Sequence, residues 1–314
     1  MQLGGSGKFS ELGVPIRVEG LNGLALIILS AICFGTNPIF ARLSYEAGAN
    51  PTTYLFIRFL IAAPVMFMVM RARGYKVPSG RLLVELITLG VIGAGTTFCF
   101  YTAIYYAPVN LIIVITYMYP MFVTLFSVGY LKQRITAVKI AALFLTVVGI
   151  LCTVGMDYGG YGLGIVLSIA AAFCHSLFLI LGSHSIQKAG SFQATTIILI
   201  SSAIIYGFYV AIRGPHFPMT FYGWAATTAS ALFSTALGLV SFFAGLKRIN
   251  TSNAAIISTF EVVVTATLAI AILGEALSMQ KLLGACLVMS AVVILAKTEF
   301  LTAHTNNTRR NFKS

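Results

Sequence analysis

The chain has 314 residues, 58% of them hydrophobic and only 9% charged, with one Asp, seven Glu and a formal net charge of +12. A soluble domain would carry roughly 25% charged residues, so this composition, with a mean hydropathy of +0.93, excludes a soluble globular fold and indicates an all-α integral membrane protein. The positive balance does not indicate nucleic acid, because the basic residues sit in short loops. Cys33, Cys99, Cys152, Cys174 and Cys286 fall inside apolar segments without the spacing of a metal site or disulfide framework, and no metal or cofactor is expected.

The first residues, 1–21, are Gly-rich and polar. They read as a flexible arm rather than a cleaved signal peptide, which would place an apolar run behind a basic start. A helix needs about 20 apolar residues to cross a bilayer. Ten such stretches follow, at 22–43, 51–71, 82–104, 109–131, 137–155, 162–184, 193–212, 221–246, 252–273 and 279–297. Asn50-Pro51 supplies a cap and a first-turn proline for the second span, and Thr136 and Ser278 stand at equivalent caps before the fifth and tenth. Residues 299–314 have no apolar face and are predicted to be disordered.

A shift of 142 residues lays the chain on itself without a gap. Ala47-Gly48 falls on Ala189-Gly190, Arg71 on Arg213, Phe100 on Phe242, Ile115 on Ile257 and Leu131 on Leu273. The apolar stretches and their breaks coincide as well, which divides the chain into repeats at 22–156 and 157–298. Each repeat holds five spans, an odd number, so the second copy must enter the membrane from the opposite side. Inverted repeats of this kind are the ground plan of secondary transporters, with a site between the halves near the midplane. Sixteen of the 20 Lys and Arg fall on one side of this arrangement, Arg42, Arg213 and Lys281 on the other, and Arg58 within a span. Basic residues mark the cytoplasmic side, so both termini are expected inside.

The run Ser258-Thr-Phe-Glu-Val262, then Leu273-Gly-Glu-Ala-Leu-Ser278, Gln280 and Gly284 resembles the end of the second repeat in the drug/metabolite transporter superfamily, EamA-type branch. Tyr119-Pro120 and Gln133-Arg-Ile-Thr136 echo it in the first repeat, and Arg58-Phe59 resembles the family's second helix. The resemblance covers about 22–298. Val262 stands where the family usually has proline. In character the chain is similar to bacterial exporters of aromatic amino acids and methyl viologen. The resemblance implies ten helices in two inverted five-helix units, and a central cavity lined by helices 1, 3, 4, 6, 8 and 9.

Polar side chains are costly in hydrocarbon and should face the bundle interior or a wet cavity. In the third span Thr97, Tyr101 and Tyr105 recur at four-residue steps and share a face; the fourth adds Thr116, Tyr117, Tyr119, Pro120 and Thr124. A phenol offers an apolar plate and a polar tip, so these residues can wall a substrate cavity, though Tyr105 also suits an interfacial aromatic belt. Glu261 is the one acidic residue well inside a span, with Ser258 before it and Thr265 after it. It can bind a substrate ammonium, carry a coupling proton, or pair with an arginine. Arg58 lies a third of the way down the second span, where its stem can snorkel outward; a structural hydrogen-bonding role is the expectation, with contact to a substrate carboxylate as the alternative. His175 is either a packing histidine or a cavity residue. Asn37-Pro38 should kink the first helix, either as a static bend or as a gate, with Pro120 as a second candidate hinge. Ser234, Gly238, Ser241 and Gly245 form a small-residue stripe suited to close helix packing or to cavity lining.

These features favour a secondary transporter exporting small solutes, amino acids above all, by alternating access in the bacterial inner membrane, as a monomer among lipids. Drugs or other metabolites such as nucleotide sugars are the alternative; a diphosphate would call for several cavity cations, and only Arg58 lies within a span. An enzyme would need a catalytic inventory that four histidines and one intramembrane acid do not supply. A channel would need a charged ring or carbonyl filter, and neither is visible.

Overall fold

The computed structural model describes residues 18–119, 160–248 and 260–274, together with Ser258 and separate positions between 122 and 149 and between 279 and 294. The described residues are helical with short connections. They form α1 (Val18–Glu46), α2 (Pro51–Ala72), α3 (Arg81–Tyr106), α4 (Val109–Thr116), α5 (Gly162–Ala189) and α6 (Ser191–Arg213). Then come α7 (Phe221–Leu246) and α8 (Phe260–Leu273). Among the described residues six helices are long and apolar enough to cross a membrane, in α1, α2, α3, α5, α6 and α7. The expected fifth and tenth spans, Pro120 and the caps at Thr136 and Ser278 lie largely or wholly outside the described residues.

Local chemistry sets the helix ends. Asn50 caps α2, its side chain accepting from the Thr53 amide at 2.8 Å, and Pro51 opens the first turn, as the sequence predicts. Thr220 caps α7 by accepting from the Gly223 amide at 3.2 Å. Both satisfy amides that the first turn leaves unpaired. Gly48 and Gly190, one repeat apart, hold φ of 98° and 96°. L-residues with a side chain avoid that conformation, so the two copies turn alike at this break. The middle of α7, Ser230–Leu237, is wound as a π-helix, a geometry frequent at functional sites. Helix α1 continues through Pro38.

The packing follows the repeat. α2 lies against its own mate α6, with Met66 touching Thr196, Phe59 stacked on Tyr206 at 5.6 Å and Thr53 accepting from the His216 amide. The rising numbers on one helix and the falling numbers on the other make the pair antiparallel. α1 packs on α7, and α3, the mate of α7, packs on α5, the mate of α1. Ser44 and Thr227 bond across the first pair at 2.9 Å; Ser185 donates to Glu85 across the second at 2.6 Å, within one residue of the equivalent positions.

At the end of the bundle where α1 meets α2, the 214–220 connection is fastened to the first repeat. Met219 N–H donates to the Ala47 carbonyl at 2.7 Å, and Asn50 Nδ2 lies 3.0 Å from His216 Nδ1. Just inside, Tyr45, Tyr54, Tyr101 and Tyr105 tile ring on ring at 5.6–5.7 Å. Asn37, Tyr54 and Ser230 close a ring of three polar groups joining α1, α2 and α7. Asn37 Oδ1 lies 2.7 Å from Ser230 Oγ and 3.0 Å from the Tyr54 hydroxyl, and the two hydroxyls are 2.6 Å apart. With no water in hydrocarbon to take up such groups, they must be satisfied internally, which ties the three helices together.

Candidate substrate cavity

A cavity of about 230 Å³ lies among the eight described helices. Phe34 and Asn37 of α1 border it, with Arg58 and Phe59 of α2, Thr97, Phe100 and Tyr101 of α3, and Thr116 of α4. So do Tyr117 and Tyr119, His175 and Phe178 of α5, Ile198 and Ser202 of α6, Phe242 and Phe243 of α7, Ser258, and Glu261 of α8. Drug-sized ligands occupy pockets of roughly 300–1,000 Å³, so this space suits a smaller solute.

The lining is built from mates. Six pairs one repeat apart both face the cavity: Asn37 with Leu179, Thr97 with Leu239, Phe100 with Phe242, Tyr101 with Phe243, Thr116 with Ser258, and Tyr119 with Glu261. The spans implied by the family resemblance all contribute as far as they are described. Two further helices do as well: α2 through Arg58 and Phe59, and α6 through Ile198 and Ser202.

The Glu261 carboxyl is held by Tyr117, a buried phenol on the turn that ends α4. Its hydroxyl lies 3.1 Å from Glu261 Oε2 and 3.2 Å from the Ser258 carbonyl, and its single proton is shared between them. Glu261 forms no ion pair among the described residues, where the salt bridges are Arg42–Glu46 and Arg81–Glu85. The pairing of Glu261 with Arg58 that the sequence left open is therefore not made here. Helix α8 comes close enough for this because α1 carries a glycine opposite it. A Cβ at Gly35 would lie 2.7 Å from Val264 Cβ, and the Thr265 hydroxyl donates to the Gly35 carbonyl at 2.9 Å.

Of the residues singled out from sequence, Asn37, Thr97, Tyr101, Tyr117, His175, Ser258 and Glu261 border the cavity together. Thr97 is also tied to Tyr206, hydroxyl to hydroxyl at 2.9 Å. His175 lies edge-on to Tyr119 at 4.8 Å. Tyr105 does not border the cavity: it is 47% exposed at the end of α3, edge-on to Tyr45 and Tyr106. Four-residue steps place it on the Tyr101 face, but one turn beyond the cavity's end. Ser241 is buried in helix packing outside the lining. Pro38 follows the lining residue Asn37.

Arg58 corrects the sequence reading in its direction only, since the expected hydrogen bonding is present, to Thr235. It does not snorkel to the membrane surface; it is 5% exposed and faces inward, because α6 and the π-helical turn of α7 cover it. The signal available in the sequence was its standing as the one cation within a span. Its depth, and the neighbours that cover it, are matters of tertiary packing.

Together these features define a multi-pass membrane protein with a small central cavity shared by two sequence repeats. The chain belongs to the EamA-like transporter family, which matches it twice, over residues 21–155 and 162–297. It is similar to the uncharacterized transporter YcbK of Bacillus subtilis (strain 168), with 21% identity over 85% of this chain and 90% of that one. The uncharacterized transporter sll1319 of Synechocystis sp. is 25% identical over 88% of this chain and 93% of its own. The pseudopaline exporter CntI of Pseudomonas aeruginosa is 28% identical over 48% of this chain and 53% of its own. A solved crystal structure 17% identical in sequence shares the fold with a TM-score of 0.65, covering 88% of this chain and 97% of that one.

Proposed function

We propose that this protein is a secondary transporter that exports amino acids with apolar or aromatic side chains across the bacterial inner membrane, by alternating access around the central cavity. The observation that carries this reading is the composition of the cavity wall. Aromatic rings from α1, α2, α3, α5 and α7 surround a space of about 230 Å³ into which one cation, Arg58, and one anion, Glu261, are set. That wall suits a small zwitterion with a variable apolar side chain. In this reading Tyr101 and Tyr117 flank the solute, Glu261 receives its ammonium group, and Pro38 and Pro120 act as hinges. The name of the Pseudomonas relative, an exporter, supports the direction of transport.

The architecture proposed is ten helices in two inverted repeats, 22–156 and 157–298, with both termini cytoplasmic and the protein working as a monomer. The antiparallel packing of the mates α2 and α6 supports the inversion, because mates of the same chain direction would run parallel in a direct repeat. The test is uptake of labelled amino acids into proteoliposomes holding the full chain, with and without a pH gradient. Accumulation or exchange of phenylalanine, tryptophan or leucine is expected. Transport of solutes with no amino acid among them would refute the substrate assignment.

A further inference from the structure

We infer that Arg58 is the carboxylate anchor of the cavity, a site that takes the carboxylate of the transported solute while its ammonium end lies toward Glu261. The inference rests on the transporter reading above and adds the chemistry of the substrate's second pole.

Four observations carry it. Arg58 borders the cavity and is 95% buried by its relative exposure of 5%. Its Nε donates to Thr235 Oγ1 at 2.5 Å, and that hydroxyl spends its own proton on the Ser230 carbonyl five residues back in the π-turn, at 2.8 Å. The Thr235 oxygen is therefore turned toward Arg58 as an acceptor. The guanidinium is also held against two ring faces, with Cζ 4.8 Å from the Tyr101 centroid and 5.1 Å from that of Phe59. Finally, Nη1 is buried without a hydrogen-bond acceptor, and Arg58 takes part in no ion pair among the described residues. A buried charge is stable only when paired and hydrogen-bonded. Here the protein supplies the Thr235 hydroxyl, two ring faces and the phenol oxygens of Tyr54 and Tyr101 to the guanidinium, but leaves Nη1 without an acceptor.

The partner that completes this site is a carboxylate. A guanidinium presents a planar fork matched to carboxylate geometry, and such bonds are among the strong ones. A phosphate would bring two charges to one cation, with the Glu261 carboxylate on the same cavity to repel it. A zwitterion meets neither problem. Nη1 is enclosed in this conformation, so a carboxylate that reaches it does so with a local rearrangement of the side chains around the guanidinium.

The test uses three ligands that share one ring: phenylalanine, phenethylamine, which lacks the carboxylate, and 3-phenylpropionate, which lacks the ammonium. Binding is measured by calorimetry on the full chain in lipid nanodiscs. Arg58→Gln is expected to weaken phenylalanine and 3-phenylpropionate at least tenfold and leave phenethylamine unchanged; Arg58→Lys, keeping the charge without the fork, should fall between. Phenylalanine binding at wild-type strength in Arg58→Gln overturns the assignment. If that variant does not fold, the wild type decides: phenethylamine bound as tightly as phenylalanine, or no binding of any of the three, also overturns it. Loss of 3-phenylpropionate binding in Arg58→Gln, in a protein that transports no amino acid, supports the carboxylate site and refutes the amino-acid reading, so the two fail separately.

Discussion

Replacing Tyr117 with Phe removes one oxygen and keeps the ring, which is 6% exposed and packs on Tyr119 at 5.7 Å. What is lost is the proton shared between Glu261 Oε2 at 3.1 Å and the Ser258 carbonyl at 3.2 Å. A hydrogen bond to a charged group is worth roughly 1.5–3 kcal/mol. Both contacts here lie beyond the usual O–H···O range of about 2.5–3.0 Å, and one donor serves two acceptors, so about 1 kcal/mol is the better figure. At about 1.4 kcal/mol per tenfold, that is roughly a fivefold change. Because the phenol fixes the orientation of Glu261, the loss should fall on ligands with an ammonium group. Phenylalanine binding to Tyr117→Phe in nanodiscs should weaken about fivefold, while 3-phenylpropionate binding stays at the wild-type value. An equal loss for both ligands would mean that Tyr117 only supports the cavity wall. Unchanged phenylalanine binding in a folded variant would remove Glu261 from the ammonium site.

Two further predictions concern the frame that carries the site. Gly35→Ala would put a methyl 2.7 Å from Val264 Cβ and Cγ1 and 3.0 Å from the Glu261 carbonyl. Overpacking of this kind costs about 1–3 kcal/mol and should lower the melting temperature in detergent, whereas Gly162→Ala, with nothing within 4 Å, should not. Single cysteines at Arg71 and Arg213, mates under the repeat and both exposed, should label from opposite sides in a cysteine-free background. Arg213→Cys is expected to react in intact cells and Arg71→Cys only after permeabilisation; reaction of both from one side would refute the inverted arrangement.

Much of the frame was legible because membrane proteins write it in composition. Six of the ten expected spans coincide with six long helices, and the caps at Asn50 and the break at Gly190 fall where the sequence puts them. The family was suggested by the resemblance of the 258–284 motifs and is shown by the match over residues 21–155 and 162–297. The cavity was legible only in part. Helical spacing finds which residues share a face, and so it brings Thr97 and Tyr101 together, but it does not say where a cavity ends; Tyr105 is on the right face and one turn too far. For Arg58 the expected hydrogen bonding is present, to Thr235, but the outward course of its stem is not. Snorkelling is argued from depth alone, while the groups that hold this guanidinium inward, Thr235 and the Tyr101 ring, lie 177 residues away in one case and on another helix in the other. The π-turn that presents Thr235 has no marker in the chain's hydrophobic pattern.

The repeat also explains why the charges were hard to assign from the chain. Six pairs of mates border the cavity, yet three of them differ in chemistry: Asn37 is the mate of Leu179, Thr97 of Leu239 and Tyr119 of Glu261. Arg58 has Ile200 as its mate, which does not border the cavity. Duplication thus fixes where lining residues stand, and divergence fixes what they do. A symmetric lining would bind a solute equally well in two orientations. On the proposed reading, with the cation contributed by the first repeat and the anion by the second, a zwitterion would fit in one orientation and touch both repeats. In the proposed alternating-access cycle, a change in the separation of α2 from α8 would change the distance from Arg58 to Glu261 with the state. A solute bridging them then binds the states unequally, which is the condition for any ligand to shift such an equilibrium. A solute with a single pole would contact one repeat through its charge and lose that leverage. Phenylalanine, more than phenethylamine or 3-phenylpropionate, is therefore expected to drive exchange across the membrane.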